Sequence, residues 1–139
     1  MPALDLYHAA FVRALEAEGW QITDDPLVVA IGARDLYIDL GAEHSTIGAA
    51  LGSRKIAVEI KSFLRASALA DLHEAIGQYA VYRSVLGQVD PERELHLAVP
   101  ERVFEGILSE RIGQIVAAQM QVRIIVFDQH TERIVRWTP

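Results

Sequence analysis

Seven residues, Ile56-Ala57-Val58-Glu59-Ile60-Lys61-Ser62, constrain this chain more than any other stretch. They read as a buried β-strand with two ionisable side chains inside it. Side chains alternate across a strand, so Glu59 and Lys61 share one face and Ile60 takes the other. A charge in apolar surroundings is costly unless it is paired or binds an ion. Upstream, Leu36-Tyr37-Ile38-Asp39-Leu40 sets a second carboxylate in an apolar, strand-like run. The fold must therefore give these groups partners while burying the strands that carry them.

Length and composition narrow the classes. A chain of 139 residues suits one domain, 1–139, with a substantial core. Apolar residues make up 51%, yet no run approaches the ~18 needed to span a bilayer. Met1-Pro2-Ala3-Leu4-Asp5 lacks the basic and apolar regions of a signal peptide. There are no cysteines, which excludes disulfides and thiolate metal sites. A cytoplasmic protein with no membrane association is expected. The net charge of −6 argues against a broad electrostatic grip on nucleic acid. Arg54, Lys55, Lys61 and Arg65 cluster around the Glu-x-Lys strand, so a small basic rim is expected. A partner subunit supplying the DNA contacts would serve as well.

Periodicity gives the order of elements. Residues 4–18 read as a helix, with Tyr7, Ala10, Phe11, Ala14 and Leu15 at helical spacing and Gly19 as its stop. Residues 20–23 alternate as a short strand that Asp24-Asp25-Pro26 breaks. Residues 27–31 carry weak strand character. Residues 35–42 and 54–62 read as strands, and glycine-rich 47–52 reads as a loop or a poor helix. The longest helix spans 68–86, with an inner stripe of Leu69, Leu72, Ile76, Tyr79 or Ala80, and Arg83, and Gly87 past its end. A strand over 94–99 meets Pro100. Helices follow over 101–107 and 109–119, then strands over 122–128 and 132–137, the last at an edge. This order suits an α/β fold in which helices flank a mixed central sheet.

The residue types point to phosphodiester chemistry. Hydrolysis needs an activated water and stabilisation of charge on phosphoryl oxygens. Mg²⁺, or Mn²⁺, supplies both and prefers a few carboxylates with waters and phosphate oxygens. Asp39 and Glu59 are the candidate metal ligands, with the Ile60 carbonyl as a further oxygen. Lys61 is the candidate for orienting water or meeting developing charge. The competing reading is a structural ion pair of Lys61 with Glu59 or Asp39 at a sheet end. Gln78 and Tyr82, spaced i and i+4, share one helix face and would look onto this strand. Otherwise Tyr82 only packs and Gln78 is solvated. His8, in a stripe with Val12 and Glu16, is either a proton shuttle to the site or a packed helix residue. His44, His73, His96 and His130 have no metal-ligand spacing, and the glycines at 41, 48 and 52 form no phosphate loop.

An Asp followed by Glu-x-Lys on the next strand resembles the active-site signature of the PD-(D/E)XK nucleases. The whole chain resembles the XisH family, named for a controlling factor in fdxN element excision, a programmed DNA rearrangement. The resemblance rests on Tyr7-His8, Gly19-Trp20, Thr23-Asp24-Asp25-Pro26-Leu27, Tyr37-Ile38-Asp39-Leu40-Gly41-Ala42-Glu43 and Val58-Glu59-Ile60-Lys61-Ser62-Phe63. It continues through Gly77-Gln78-Tyr79, Tyr82-Arg83, Leu97-Ala98-Val99-Pro100, Ile125-Val126-Phe127-Asp128 and Ile134-Val135-Arg136-Trp137. It implies a compact restriction-endonuclease-like fold. It also implies a DNA endonuclease or an accessory that holds DNA, or else a non-enzymatic controlling subunit that retains the fold. Resolvase-like relatives of that superfamily carry a Glu about where His8 stands, and Ile38 replaces the Pro of the superfamily name. The implied partners are DNA, a second small excision-controlling protein and a site-specific recombinase. The closing edge strand, and the need for two active sites to cut two strands, add an expected homo-oligomer.

Overall fold

The computed structural model describes residues 5–45 and 53–139. Helix α1 (His8–Ala17) precedes β1 (Gln21–Asp24), β2 (Leu27–Ile31), β3 (Arg34–Ile38), β4 (Leu40–Ser45) and β5 (Ser53–Ile60). Helix α2 (Ala68–Val89) leads to β6 (Glu94–Pro100), α3 (Glu101–Glu105), a 3-10 turn (Ile107–Ser109) and α4 (Arg111–Gln119). Strands β7 (Ile124–Asp128) and β8 (Arg133–Trp137) follow. Six strands form one mixed sheet in the order β1-β4-β5-β6-β7-β8, and β2 and β3 form a separate hairpin sheet. The expected α/β arrangement of a mixed sheet with flanking helices is present.

Parallel neighbours need long crossovers, and the helices supply them. Strands β5 and β6 run parallel and are joined through α2; β6 and β7 run parallel and are joined through α3 and α4. Helix α2 covers one face, where Leu72, Ala75, Tyr79 and Leu86 pack with Ala57, Leu95, Leu97 and Val99. Helix α1 covers the other, where Phe11 and Leu15 pack with Ile56, Val58, Ala98, Ile125 and Phe127. Strand β6 lies between these layers and is buried from Leu95 to Pro100, which explains its continuous rather than alternating apolar pattern. Gly19 ends α1 with φ +90°, a conformation that other residues adopt only with strain. Among the described residues no helix is long and apolar enough to cross a membrane.

Four expectations are corrected. The single strand over 35–42 is two strands in two sheets, and Asp39 is the break between them. At that position side chains replace the ladder: Asp39 N donates to Glu59 Oε1 (3.3 Å) and Ile60 N donates to Asp39 Oδ2 (2.8 Å). Helix α2 does not stop at Gly87 but runs to Val89, where Asp90 N bonds Leu86 O (2.8 Å). A glycine inside a helix costs only about 1 kcal/mol, and the buried Leu86 holds the last turns against the sheet. The inner stripe of α2 is Leu72, Ala75, Tyr79 and Leu86; Leu69 is 42% exposed and Arg83 lies at the surface. The two later helices are shorter than expected, and a 3-10 turn separates them because α4 packs on it at Gly113. A Cβ there would collide with the Ile107 carbonyl. The expected edge strand is β8, while 47–52 lies outside the described residues.

Tyr79 fastens α2 to the sheet. It is 1% exposed, its hydroxyl donates to Leu95 O (3.2 Å) and it accepts from Arg123 N (3.1 Å). Replacing it with Phe strands two backbone groups at the starts of β6 and β7. Tyr79→Phe is expected to destabilise the protein by about 1–3 kcal/mol in urea unfolding, with the m-value unchanged. A change below about 0.5 kcal/mol would show that this hydroxyl does not hold the helix.

Candidate active site

Three parts of the chain converge at the end of β5. Glu59 and Lys61 project from the face that α2 covers, as strand alternation requires. Asp39 arrives from the β3–β4 break. From α2 come Glu74, Gln78 and Tyr82, each four residues apart and therefore on one helix face. Together with Asp5, Tyr37 and Ile60 these side chains line a pocket of about 240 Å³. The structure thus brings together Asp39, Glu59, Lys61, Gln78 and Tyr82. Helix α2 lies against the face that bears Lys61, as its expected role beside the site requires.

His8 is placed differently. It is buried in α1, its Nε2 donates to Asp25 Oδ1 (2.8 Å), and it is not in the pocket lining. It ties α1 to the turn before β2. Val12 is half-buried and Glu16 exposed, so the stripe they form with His8 does not enter the pocket.

Two residues escaped the sequence reading. Asp5 accepts from Ser62 N (2.9 Å), Ser62 Oγ and Tyr7 N (2.9 Å), which fastens the segment before α1 to the end of β5. Nothing local in the sequence marks that contact. Glu74 receives Lys61 Nζ (3.0 Å) and Arg65 Nη2 (2.9 Å). Its signal was available, since it stands four residues before Gln78 on the same stripe.

The pocket holds more negative charge than its cation offsets. Lys61 Nζ is 3.7 Å from Glu59 Oε2 and is shared with Glu74. Glu59 is 6% exposed. Burial first, and the Asp39 carboxylate second, push its pKa up to about 8. Burial also raises Asp39, opposed by the Ile60 amide. Tyr82 is raised to about 12 by burial and by the two carboxylates, so its hydroxyl keeps its proton at neutral pH. Gln78 Oε1 is buried without a hydrogen-bond partner among the described residues.

These donors suit Mg²⁺ or Mn²⁺. Among the described residues no three His, Asp or Glu side chains are placed to enclose an ion. Mg²⁺ does not need such a cage, because one or two carboxylates with waters suffice. Two under-compensated carboxylates and an orphaned buried oxygen are what a hydrated cation would satisfy.

The expected basic rim is corrected. Arg54 and Lys55 lie near the opposite end of β5, paired with Glu94 (3.1 Å) and Asp90 (3.4 Å). Arg65 is held by Asp71 and Glu74. Nearby acidic side chains take up each cation, in keeping with the chain's negative balance, so among the described residues no unpaired basic strip borders the pocket.

The Glu59 shift has a direction that can be measured. Below its ordinary value of 4.5 both folded and unfolded chains are protonated. Between 4.5 and about 8 the unfolded chain has lost a proton that the folded chain keeps, so stability falls as pH rises and levels off above about 8. Glu59→Gln removes that slope. Thermal melts from pH 5 to 8.5 are expected to show the variant gaining on the wild type as pH rises. Parallel curves would contradict the buried, proton-holding carboxylate.

Comparison with known proteins agrees with this architecture over the whole chain. The family model described as XisH protein matches residues 1–135. The crystal structure of an XisH family protein from Nostoc punctiforme PCC 73102 is 38% identical, with a TM-score of 0.88 over 97% of this chain and 100% of that one. That of an fdxN element excision controlling factor protein from Anabaena variabilis is 37% identical, with a TM-score of 0.86 over 98% and 100%. Among curated proteins none matches. The match spans the β3–β4 break, the Glu-x-Lys strand and the α2 stripe alike, and on that extent the chain belongs to the XisH family.

Proposed function

We propose that this chain is a metal-dependent phosphodiester hydrolase of PD-(D/E)XK type that acts on DNA in element excision. The observation that carries the reading is the convergence of a buried carboxylate, Glu59, and a half-buried one, Asp39, with Lys61 in one open pocket. The Anabaena relative, an fdxN element excision controlling factor protein, supplies the context of element excision.

Asp39, Glu59 and the Ile60 carbonyl would hold Mg²⁺, with Gln78 Oε1 accepting from a water beside it. The ion supplies an acidified water and a positive charge for the phosphoryl oxygens. Lys61 is the chain's own cation at that point. Its ammonium, 3.0 Å from Glu74, is positioned by that carboxylate and would be the cation available to a phosphate oxygen in the pocket. Tyr82, protonated and half-buried, offers a hydroxyl donor to a non-bridging oxygen. Glu59 would have to give up its extra proton to hold the cation, so occupancy would rise with pH. A second small controlling protein, a recombinase or another copy of this chain would supply the DNA contacts that the paired arginines lack.

One observation favours a second reading. Asp39 and Glu59 each already accept a backbone amide, and Lys61 already has two carboxylate partners. A controlling subunit that keeps this lock for structure and acts through a partner fits that pattern.

Saturating Mg²⁺ or Mn²⁺, at about 100 times its Kd, is expected to stabilise the wild type by about 2.7 kcal/mol. Asp39→Asn and Glu59→Gln should fold, because the amide oxygens still accept, and should lose this metal effect. Cleavage of supercoiled plasmid should require the metal, and Lys61→Met should lower turnover by about 10²–10³ with DNA affinity little changed. Lack of metal-dependent cleavage by the wild type, alone and with its family partner, would leave the controlling-subunit reading standing.

A further inference from the structure

The sheet carries a second built cleft, on the α1 face and away from Asp39 and Glu59. Helix α1 is short and leaves the starts of β6 and β7 uncovered. There Trp20, Arg54, His96, Arg123 and Trp137 line an open space of about 380 Å³, within the roughly 300–1,000 Å³ of small-molecule sites. His96 forms its floor. It is 3% exposed, and neither ring nitrogen has a hydrogen-bond partner among the described residues.

We propose that this cleft binds an unpaired nucleobase, with His96 reading its edge, Trp137 its face, and Arg54 and Arg123 the adjoining phosphate. Each part of the site selects for one part of that ligand. Burial lowers the His96 pKa to about 4, so the ring is neutral, with one donor and one acceptor on diverging sides of the ring. Leaving one unmade costs about 1–3 kcal/mol, and a single carbonyl or amino group of a base edge can partner the nitrogen nearest the cleft. Trp137 meets His96 edge-on (5.3 Å) and stacks on Trp20 (5.6 Å, 26°). Its indole N–H is tied to Glu18 Oε1 (3.0 Å), which fixes the ring while leaving it half-exposed for stacking. Arg54 (3.1 Å) and Arg123 (3.8 Å) share one carboxylate, Glu94, and both guanidinium groups remain about half-exposed with donors to spare.

Other ligand chemistries use less of the site. A free phosphate or carboxylate would engage the arginines and leave the aromatic rings and the neutral His96 unused. An apolar side chain would leave His96 unpaired. A peptide amide could satisfy His96 but has neither the π-face nor the anion. Duplex DNA hides its base faces by stacking, so the expected form is a single strand, a flap or a bulge. The rim charges of Glu18, Glu94, Arg54 and Arg123 cancel. Binding should therefore depend on salt only weakly, with a log–log slope of about −1 or shallower. This site stands whether or not the Asp39–Glu59 pocket hydrolyses DNA.

The chain's two tryptophans both lie in this cleft, so selectively excited tryptophan fluorescence reports on it alone. The full-length protein would be titrated with ten-nucleotide single strands, the same sequence as duplex, inorganic phosphate and an uncharged amide-rich peptide. Saturable quenching by the single strands alone is expected. Arg123→Ala, a surface change, should weaken it tenfold or more. His96→Leu should abolish it and His96→Asn, which keeps a donor and an acceptor, should restore part of it. Lys61→Met should leave it unchanged. No saturable quenching, equal quenching by duplex or peptide, quenching by phosphate alone, or indifference to Arg123→Ala would overturn the proposal. Loss of quenching with plasmid cleavage intact would reject this site only, and the converse would reject only the hydrolase.

Discussion

Two hydrogen bonds at Asp39 organise this molecule. The Asp39 amide donates to the Glu59 side chain, and the Asp39 side chain receives the Ile60 amide. The exchange sits where the chain leaves the β2–β3 hairpin and enters the main sheet. In an uninterrupted strand that position would use ladder hydrogen bonds, and both carboxylates would need other partners. Here each carboxylate caps the other strand's backbone, which ends one sheet, starts the next, and leaves two acidic groups pointing into a common space.

That arrangement is costly to bury. Burial and the Asp39 carboxylate raise the proton affinity of Glu59, and the nearest cation is shared with Glu74 on α2. Tyr79, deep in the same helix, holds α2 against the starts of β6 and β7, so Glu74, Gln78 and Tyr82 cannot back away from the carboxylates. The fold thus keeps an electrostatic deficit in place that a proton relieves below about pH 8 and a divalent cation would relieve above it. Stability and proposed chemistry draw on the same two residues.

What was legible in the sequence is what strands and helices express locally. The parity of Glu59 and Lys61 and the i, i+4 spacing of Gln78 and Tyr82 placed four residues correctly in one pocket. The break at Asp39 was not legible, because the run from Leu36 to Leu40 carries no glycine or proline and the interruption comes from Ile60 and Glu59, some twenty positions away. Asp5 reaches the site through Ser62, an equally distant contact. The arginines misled because nearness in sequence to the Glu-x-Lys strand says nothing of which carboxylate takes each one. Arg54 answers to Glu94 on the neighbouring strand and Arg65 to the first turns of α2. His96 reads as one polar residue in an apolar strand, and only the short reach of α1 shows that it faces a cleft.

The central claim is that Asp39 and Glu59 form a cation site, and anomalous diffraction from Mn²⁺-soaked crystals near pH 8 tests it most directly. A single strong peak within coordinating distance of both carboxylates, lost in crystals of Glu59→Gln, is the result this account predicts. A structure in which Mn²⁺ is absent from that pocket, with both carboxylates still locked on the backbone amides, would contradict it.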